Sequence, residues 1–398
     1  MARILFAWEF GGDLGHARRL VPIARALRAL GHEPCFAFRE LPLLGAFAQE
    51  GFAWFAAPRL REPVVLNPSP FNASDILLNL GYGDPNGLNG ALRAWLSLLA
   101  LTKPALVVAD YAPTALLGAL AARIPRLTIG TGFSVPARAT PLPALRAWHA
   151  VERVVLERID ARLLGNVATA LDRLSRSAVA PKTAWDLFDA NAHLLCTFPE
   201  LDPFGPREGV EYMGPQGDAE SGVETAWKAG GSTRVFAYFK PRDERFTAIV
   251  EALRALKADG IVAAPGLDPA RAAALTDANV RVFAEPVRLA GLLEHASLCV
   301  SHAGPGLAAR ALVAGVPMAL LPMQLEQFLV ARRLMDRGVA RVIAPNEALP
   351  DLGAWLASAA ADESLRNAAR ERAREHAGYE FDEAARATAR RIAREADH

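Results

Sequence analysis

A glycine-rich turn followed by a histidine is the first stretch of this chain that could do chemistry. The apolar segment ILFAWEF at 4–10 leads into GGDLGH, which brings Gly11, Gly12 and His16 close together in the sequence. Adjacent glycines permit a tight turn and a close approach of the backbone to a ligand. A helix that begins here would offer N–H groups that favour an anion or a developing negative charge. The spacing Gly-Gly-x-x-Gly differs from the Gly-x-Gly-x-x-Gly of dinucleotide sites.

Asp110 is a carboxylate that could act together with His16. It ends the strand-like segment ALVVAD at 105–110. The carboxyl ends of parallel strands share one edge of a sheet, so this carboxylate could orient the His16 imidazole and stabilise its cation, as in a general base. Each residue also has a purely structural alternative. His16 could hydrogen-bond to backbone at a helix start, and Asp110 could cap the helix that begins near Pro113.

A second chemical group lies in the stretch SHAGPGLAARALVAGVPMALLP at 301–322. His302 follows a strand, and the Gly-Pro-Gly turn at 304–306 opens a short helix, where proline suits the first turn. Glycines beside a helix N-terminus predict an anion site, here one suited to a diphosphate. Further along, Glu326 and Gln327 open another helix and could hydrogen-bond sugar hydroxyls. The alternative for Glu326 is a favourable charge in a first helical turn.

The order of apolar and amphipathic segments indicates which elements hold these residues. Strand-length apolar segments alternate with helical patterns through both halves of the 398-residue chain, starting at 4–10 and again at 233–239. Continuous apolar strands of this kind are typical of a parallel sheet covered by helices on both faces. The segment 198–233 is rich in proline, glycine and charge, as linkers are. The sequence therefore predicts two similar doubly wound α/β domains joined by a hinge.

The expected boundaries are an N-terminal domain over 1–200, a linker over 201–232, a second domain over 233–361 and C-terminal helices over 362–398 that pack across the domains. Helices are expected near 42–50 and near 288–295. Residues 58–87 are expected to form a long irregular segment, which could line an acceptor pocket or pack as an ordinary loop.

Composition excludes several classes of function. The 44 basic and 43 acidic residues give a net charge of +1, which does not indicate a nucleic-acid-binding protein. The three cysteines lack metal-ligand spacing and are expected to be buried free thiols in a reducing compartment. No apolar run reaches the roughly 20 residues of a membrane span, and the first segment resembles a strand rather than a signal peptide. We expect a cytoplasmic protein that binds small molecules or proteins and no metal.

Taken together, these segments resemble the UDP-glycosyltransferase superfamily with the GT-B fold, and most of all bacterial enzymes that glycosylate natural products. The resemblance covers nearly the whole chain and is carried by residues 11–33, 107–125, 198–204 and 301–340. The last segment is the most specific, since it has His-x-Gly, Ala-Gly-Val-Pro, the following proline and Glu-Gln at the family's spacing. The resemblance implies two Rossmann-like domains that face a cleft, the first binding the acceptor and the second the nucleotide sugar.

The resemblance also implies an activity and a set of site residues. The reaction would be inverting transfer of a sugar from a UDP- or dTDP-sugar to a small acceptor, with no covalent enzyme intermediate and no metal or other cofactor. His16 would be the base that deprotonates the acceptor, and Asp110 its partner. The donor would be bound by Gly12, Lys240, His302, Gly304, Gly306, Arg310, Glu326 and Gln327.

Several positions depart from the family pattern. Leu307 occupies a position where the family usually has a serine or threonine that contacts phosphate. Arg310 occupies the position of a glutamate that binds the ribose hydroxyls, and Val330 occupies a position where asparagine is common. Lys240 lies where a Gly-Ser or Gly-Thr turn is usual, so two cations have appeared where polar contacts are missing. Lys240 could bind the diphosphate as a point charge, and Arg310 could bind phosphate or a carboxylated sugar. The alternative for both residues is an ordinary surface charge.

Two alternatives to a transferase stay open at this point. One is a non-catalytic member with a degenerate donor site, which binds a nucleotide sugar or a partner. The other is a nucleotide-sugar epimerase or hydrolase of GT-B type. The aromatic and apolar content of 58–87 and 130–148 predicts an apolar or aromatic acceptor.

Overall fold

The computed structural model describes residues 1–12, 15–40, 49–60, 65–217, 222–230 and 233–397. The chain divides into two compact units. The first comprises residues 1–199, 206–217 and 382–398, and the second comprises 200–205 and 218–381. The helix expected near 42–50 falls almost entirely outside the described residues.

In the first unit, the described strands form one parallel sheet of seven strands in the order β3-β2-β1-β4-β5-β6-β7. The strands are β1 (Arg3–Trp8), β2 (Glu33–Phe38), β3 (Ala53–Ala56), β4 (Leu106–Asp110), β5 (Arg126–Gly130), β6 (Ala192–Leu195) and β7 (Glu211–Tyr212). The helices are α1 (Gly15–Ala29), α2 (Ala73–Leu77), α3 (Pro85–Thr102), α4 (Pro113–Ala122), α5 (Arg153–Asp172) and, from the C-terminus, α12 (Phe381–Ala396). Single 3₁₀ turns lie at Ser177–Val179, Ala184–Leu187 and Pro199–Leu201.

The central strands of this sheet are buried on both faces because helices cover each side. On one face, α1 buries its stripe of Leu20, Ala24 and Leu27 in a cluster with the apolar side chains of β1 and β2. Ala389 and Ile392 of α12 are fully buried in the same cluster. The C-terminal segment thus contributes directly to the core of the first unit.

In the second unit, the described strands form a parallel sheet of six in the order β10-β9-β8-β11-β12-β13. The strands are β8 (Arg234–Tyr238), β9 (Asp259–Ala263), β10 (Val280–Phe283), β11 (Leu298–Ser301), β12 (Met318–Leu320) and β13 (Ala340–Val342). The helices are α6 (Phe246–Ala255), α7 (Pro269–Leu275), α8 (Pro305–Val313), α9 (Leu325–Asp336), α10 (Leu352–Ala361) and α11 (Glu363–Glu375). The prediction of two doubly wound parallel sheets is confirmed.

The fold corrects the sequence reading in three places. The segment 58–87 is not irregular throughout, because α2 continues into a π-helix at Leu78–Tyr82. Asn72 starts this stretch by accepting the N–H of Asp75 at 3.0 Å, and Leu77 and Tyr82 anchor it in the core. The long helix α5 was not expected. The helix expected near 288–295 is only a 3₁₀ turn at Leu293–His295.

The three cysteines lie in the interior of the protein. Cys35, Cys196 and Cys299 are free and buried, as the sequence predicts. Burial raises the pKa of each thiol to about 12, so all three stay uncharged near neutral pH. Across the described part of the chain, no helix is long and apolar enough to cross a membrane.

Candidate active site

Strand register places an aromatic ring and a carboxylate side by side at the carboxyl edge of the first sheet. Trp8, the last residue of β1, pairs with Asp110, the last residue of β4. Paired residues of parallel strands point to the same face, and here it is the face that α1 covers. Glu9 is the next residue and serves the opposite face, where its oxygens accept the N–H groups of Thr114 and Ala115 at the start of α4.

His16 and Asp110 meet on this face. His16 lies in the first turn of α1, and its ring stacks on the indole of Trp8, with centroids 4.7 Å apart and planes 22° apart. Its Nδ1 atom is 2.9 Å from Oδ2 of Asp110. With Nδ1–H donating to this carboxylate, Nε2 is left as the acceptor of the ring. The histidine side chain keeps 18% of its surface exposed, whereas Asp110 is buried.

Arg19 is a third member of this group that the sequence analysis missed. Its Nη2 atom donates to the same Oδ2 of Asp110 at 2.5 Å and lies 3.2 Å from Nδ1 of His16. Burial by itself would raise the pKa of Asp110, but Arg19 and then His16 outweigh it and hold that pKa below its ordinary value. The spacing of His16 and Arg19, three residues apart on one helix, was the available signal.

Gly11 leaves room for Nε2 of His16. Gly11 has a φ of +86°, and a Cβ atom built on it would come within 2.6 Å of that nitrogen. Gly12, a predicted donor contact, is exposed, and a Cβ on it would lie 3.7 Å from Oε1 of Glu40. Among the described residues, this nitrogen therefore lies against the backbone of Gly11.

In the second unit, three central strands deliver the other predicted residues to one sheet edge. Ser301, at the end of β11, pairs with Tyr238 of β8 and with Leu320 of β12. The loops that follow these strands carry Lys240, His302 and the residues that begin α9. These loops share the carboxyl edge, where doubly wound sheets bind ligands.

His302 uses both ring nitrogens to hold two of these loops together. Its Nδ1–H donates to the carbonyl of Leu321 at 3.0 Å, and Nε2 accepts the backbone N–H of Lys240 at 3.2 Å. The residue is 3% exposed, and burial lowers the pKa of its ring below the ordinary value. In this arrangement the ring is uncharged and fixes the turn that carries Lys240.

A partly buried ion pair that the sequence analysis did not single out supports the same loops. Arg245 donates to Asp243 through Nη2 at 2.9 Å and to the carbonyl of Leu321, also at 2.9 Å. Nδ1 of His302 lies 3.5 Å from Oδ2 of Asp243. Burial would raise the pKa of Asp243, but its hydrogen bonds with Arg245 and the charge of that residue keep it below the ordinary value.

The start of α8 is open in the way that an anion site requires. Gly304 is the N-cap and no side chain caps the helix there. The residue before it, Ala303, has a φ of +61°, a left-handed conformation that turns the chain sharply into the helix. A Cβ atom on Gly304 or Gly306 would meet nothing within 4 Å. The N–H groups of this first turn therefore face space that a ligand could fill.

The other residues predicted to bind the donor, Gln327, Glu326 and Arg310, make different contacts from one another. Gln327 is buried, and its Oε1 accepts the N–H of Met323 at 2.9 Å, so it supports the start of α9. Glu326 is half-buried in the first turn of the same helix. The guanidinium of Arg310 lies over the ring of Phe381, 3.9 Å from its centroid. Among the described residues, no group of three or more His, Cys, Asp or Glu side chains could hold a metal ion.

A cavity of about 440 Å³ lies in the first unit on the face opposite His16. Thr128 and His193 are hydrogen-bonded to each other at 2.8 Å, and His193 lines the cavity. Asp110 pairs with Ile129, the residue after Thr128, and so points to the other face of the sheet. The cavity is therefore not part of the His16–Asp110 group.

Comparisons with known proteins agree with this architecture. Residues 273–388 match the model of the glycosyltransferase family 28 C-terminal domain. Three crystal structures have a similar fold. CalG4, the calicheamicin glycosyltransferase, has a TM-score of 0.71 and 20% identity, over 100% of this chain and 98% of that chain. The glycotransferase of kitacinnamycin has a TM-score of 0.70 and 21% identity, over 99% of each chain. The glycosyltransferase VinC in complex with dTDP has a TM-score of 0.66 and 20% identity, over 99% of each chain. No curated protein matches the sequence.

These findings confirm the resemblance stated from the sequence. The chain has the GT-B fold, and residues 273–388, most of which lie in the second unit, are similar to the C-terminal domain of glycosyltransferase family 28. The domain match spans α8 and α9, the helices whose N-termini carry the predicted donor residues.

Proposed function

We propose that this protein, with its GT-B fold and family 28 C-terminal domain, is an inverting glycosyltransferase that moves a sugar from a UDP- or dTDP-sugar to a small apolar or aromatic acceptor. The observation that carries the proposal is the 2.9 Å contact between Nδ1 of His16 and Oδ2 of Asp110. It leaves Nε2 as the proton acceptor of the ring, next to Gly11. The pair has the geometry of a general base with its orienting carboxylate.

His16 begins the proposed reaction by taking the proton of the acceptor hydroxyl on Nε2. The acceptor oxygen then forms a bond to the anomeric carbon, while the bond from that carbon to the diphosphate oxygen breaks. The electron pair of this bond leaves with the nucleoside diphosphate. Asp110 stays ionised and stabilises the imidazolium that forms, since its pKa is held low.

The second unit supplies positive potential for the departing diphosphate. We assign this role to the N–H groups at the start of α8, with Gly304 and Gly306 giving the phosphates access, and to Lys240. His302 contributes by fixing the Lys240 turn, because both of its ring nitrogens are already hydrogen-bonded. Glu326 and Gln327 are proposed to hold the donor sugar.

The nucleoside, Arg310 and the acceptor segments complete the proposed site. The complex of VinC with dTDP favours a pyrimidine nucleoside diphosphate as the donor carrier. Arg310 is proposed to contact a phosphate or a carboxylated sugar, which would require it to leave the Phe381 ring. The segments 58–87 and 130–148 are proposed to line the acceptor site, and Gly12 to border the donor.

The test combines donor binding with transfer. Isothermal titration calorimetry with UDP, dTDP and their glucose conjugates should detect binding to the wild-type protein and, with similar affinity, to His16→Ala. Transfer to a panel of phenolic acceptors, followed by mass spectrometry, should fall by roughly 100- to 10,000-fold in His16→Ala. The proposal fails if no nucleotide binds at millimolar concentration or if His16→Ala transfers as well as wild type. Donor turnover without acceptor would support a hydrolase or epimerase instead.

A further inference from the structure

We propose that Arg19 is a positioning residue for the general base: it holds the Asp110 carboxylate toward His16, and its positive charge opposes proton binding by the His16–Asp110 pair. The inference rests on the proposed function of His16 as the base. It extends the pair to a group of three in which Arg19 touches neither substrate nor reacting atoms.

The geometry gives Arg19 contact with both members of the pair. Its Nη2 atom is 2.5 Å from Oδ2 of Asp110 and 3.2 Å from Nδ1 of His16. Arg19 is 8% exposed and Asp110 is 1% exposed, so little water screens these charges. Oδ2 of Asp110 accepts hydrogen bonds from both Arg19 and the ring N–H of His16. The guanidinium therefore holds in place the oxygen that orients the imidazole.

Of the described residues, the other titratable groups near this pair carry little charge toward it. Asp110 comes from β4 and Arg19 from α1 itself, while β1 presents the uncharged Trp8. Cys196, which follows β6, interacts with both Arg19 and Asp110, but burial raises the pKa of its thiol to about 12. Glu40 borders Gly12, lies 4.0 Å from Arg39 and is half-buried. Within the described part of the chain, Arg19 is the arginine in contact with both His16 and Asp110.

The direction in which the protonation midpoint shifts distinguishes a positioning role from a purely structural one. Removing a positive charge makes the His16–Asp110 pair bind a proton more tightly, whichever atom carries it. In Arg19→Met, the pH midpoint at which the pair takes up its proton should therefore move upward. A role limited to packing would lower stability and leave that midpoint where it was.

The ring titration needs no substrate. Nitrogen-15 NMR of histidine-labelled protein follows the His16 ring against pH, with its signals assigned by their absence in His16→Gln. We expect an upward shift in Arg19→Met, a midpoint near wild type in Arg19→Lys, which restores the charge, and no shift in Arg18→Met. Arg18 is a matched control because it is the neighbouring, half-buried arginine of the same helix. Should Arg19→Met not fold, Arg19→Gln removes the charge while retaining a hydrogen-bond donor.

The pH profile of transfer completes the test. The acid limb of kcat/KM should move upward in Arg19→Met together with the ring titration, and the plateau above that limb should fall in Arg19→Met and recover in Arg19→Lys. An unchanged midpoint in both the NMR titration and the pH profile of Arg19→Met would overturn the role of Arg19. If His16→Ala keeps full transfer activity, the proposed function fails, but the ring titration still decides whether Arg19 controls the charge of His16.

Discussion

The Nε2 atom of His16 lies over Gly11, so close that a Cβ atom on that glycine would stand 2.6 Å from the nitrogen. Gly11 also has a φ of +86°, which side chains rarely adopt. Glycine at this position thus permits the backbone conformation of the turn and leaves space for the ring of the proposed base. This relationship gives the first prediction.

Gly11→Ala should reduce transfer far more than it reduces stability. The methyl group must displace the His16 ring or the turn, whereas the backbone strain by itself costs about 1–2 kcal/mol. Gly31→Ala is the matched control, because Gly31 has the same φ of +86° with nothing within 4 Å of an added Cβ. Urea denaturation and kcat/KM should show similar stability losses in both variants but an activity loss only in Gly11→Ala. Equal activities would contradict the assignment of Nε2 as the base.

Asp110→Asn should abolish transfer and destabilise the protein. The change leaves the buried Arg19 cation without its carboxylate, at a cost of about 3–5 kcal/mol. The double variant Arg19→Met/Asp110→Asn should recover part of this loss in urea denaturation, because it removes both charges. Stability losses that simply add in the double variant would show that the two residues are not coupled.

Gly306→Ala should weaken donor binding without harming the fold. The added methyl group meets nothing within 4 Å, and alanine in place of this helical glycine should stabilise the folded state by about 0.4–1 kcal/mol. If the diphosphate occupies this space, calorimetry should show the affinity for UDP or dTDP falling by roughly 10-fold, or 1.4 kcal/mol. Gly90→Ala in α3 is the control, since its surroundings are equally open. Unchanged nucleotide affinity in Gly306→Ala would place the diphosphate elsewhere.

His302→Asn should lower nucleotide affinity through the Lys240 turn. Asparagine cannot span from the Leu321 carbonyl to the Lys240 N–H as the imidazole does, so the turn loses its support. Calorimetry with UDP and dTDP measures the effect, and the exposed His295 of the same unit, changed to asparagine, is the control. Wild-type affinity in His302→Asn would mean that the turn needs no such support.

Glu9→Gln should flatten the dependence of stability on pH. Burial, opposed by hydrogen bonds at the start of α4, raises the pKa of Glu9 to about 8. A group whose pKa is raised on folding contributes its full stability below the unfolded value, near 4.5, and loses it as pH rises through the folded value. Wild type should therefore lose stability between about pH 4.5 and 8, by an amount on the order of 4 kcal/mol.

Glutamine carries no such charge, so urea denaturation of Glu9→Gln should show a much smaller decline over this range. A matched control is Glu33→Gln, since Glu33 is exposed at the start of β2. A decline in Glu9→Gln as steep as that of wild type would assign the pH dependence to other groups.

The amino-acid sequence alone determined the architecture and most positions of the candidate site. Alternating apolar strands and amphipathic helices follow from local periodicity, and this is why two parallel sheets were predicted. His16, Asp110 and the turn at 304–306 stand out because strand ends in such sheets gather at one edge. The sequence analysis missed the helices α2 and α5, because their apolar residues pack in a core formed by segments that are distant in the sequence.

Only the tertiary structure decided how the side chains share their partners. Arg19 and Asp110 are 91 residues apart, so their contact depends on the packing of α1 against β4 and on one arginine rotamer. The same holds for His302, whose two ring nitrogens bind backbone groups of loops that follow different strands. A sequence pattern specifies which residues reach a sheet edge, whereas the hydrogen bonds they form there depend on atomic positions that long-range packing fixes.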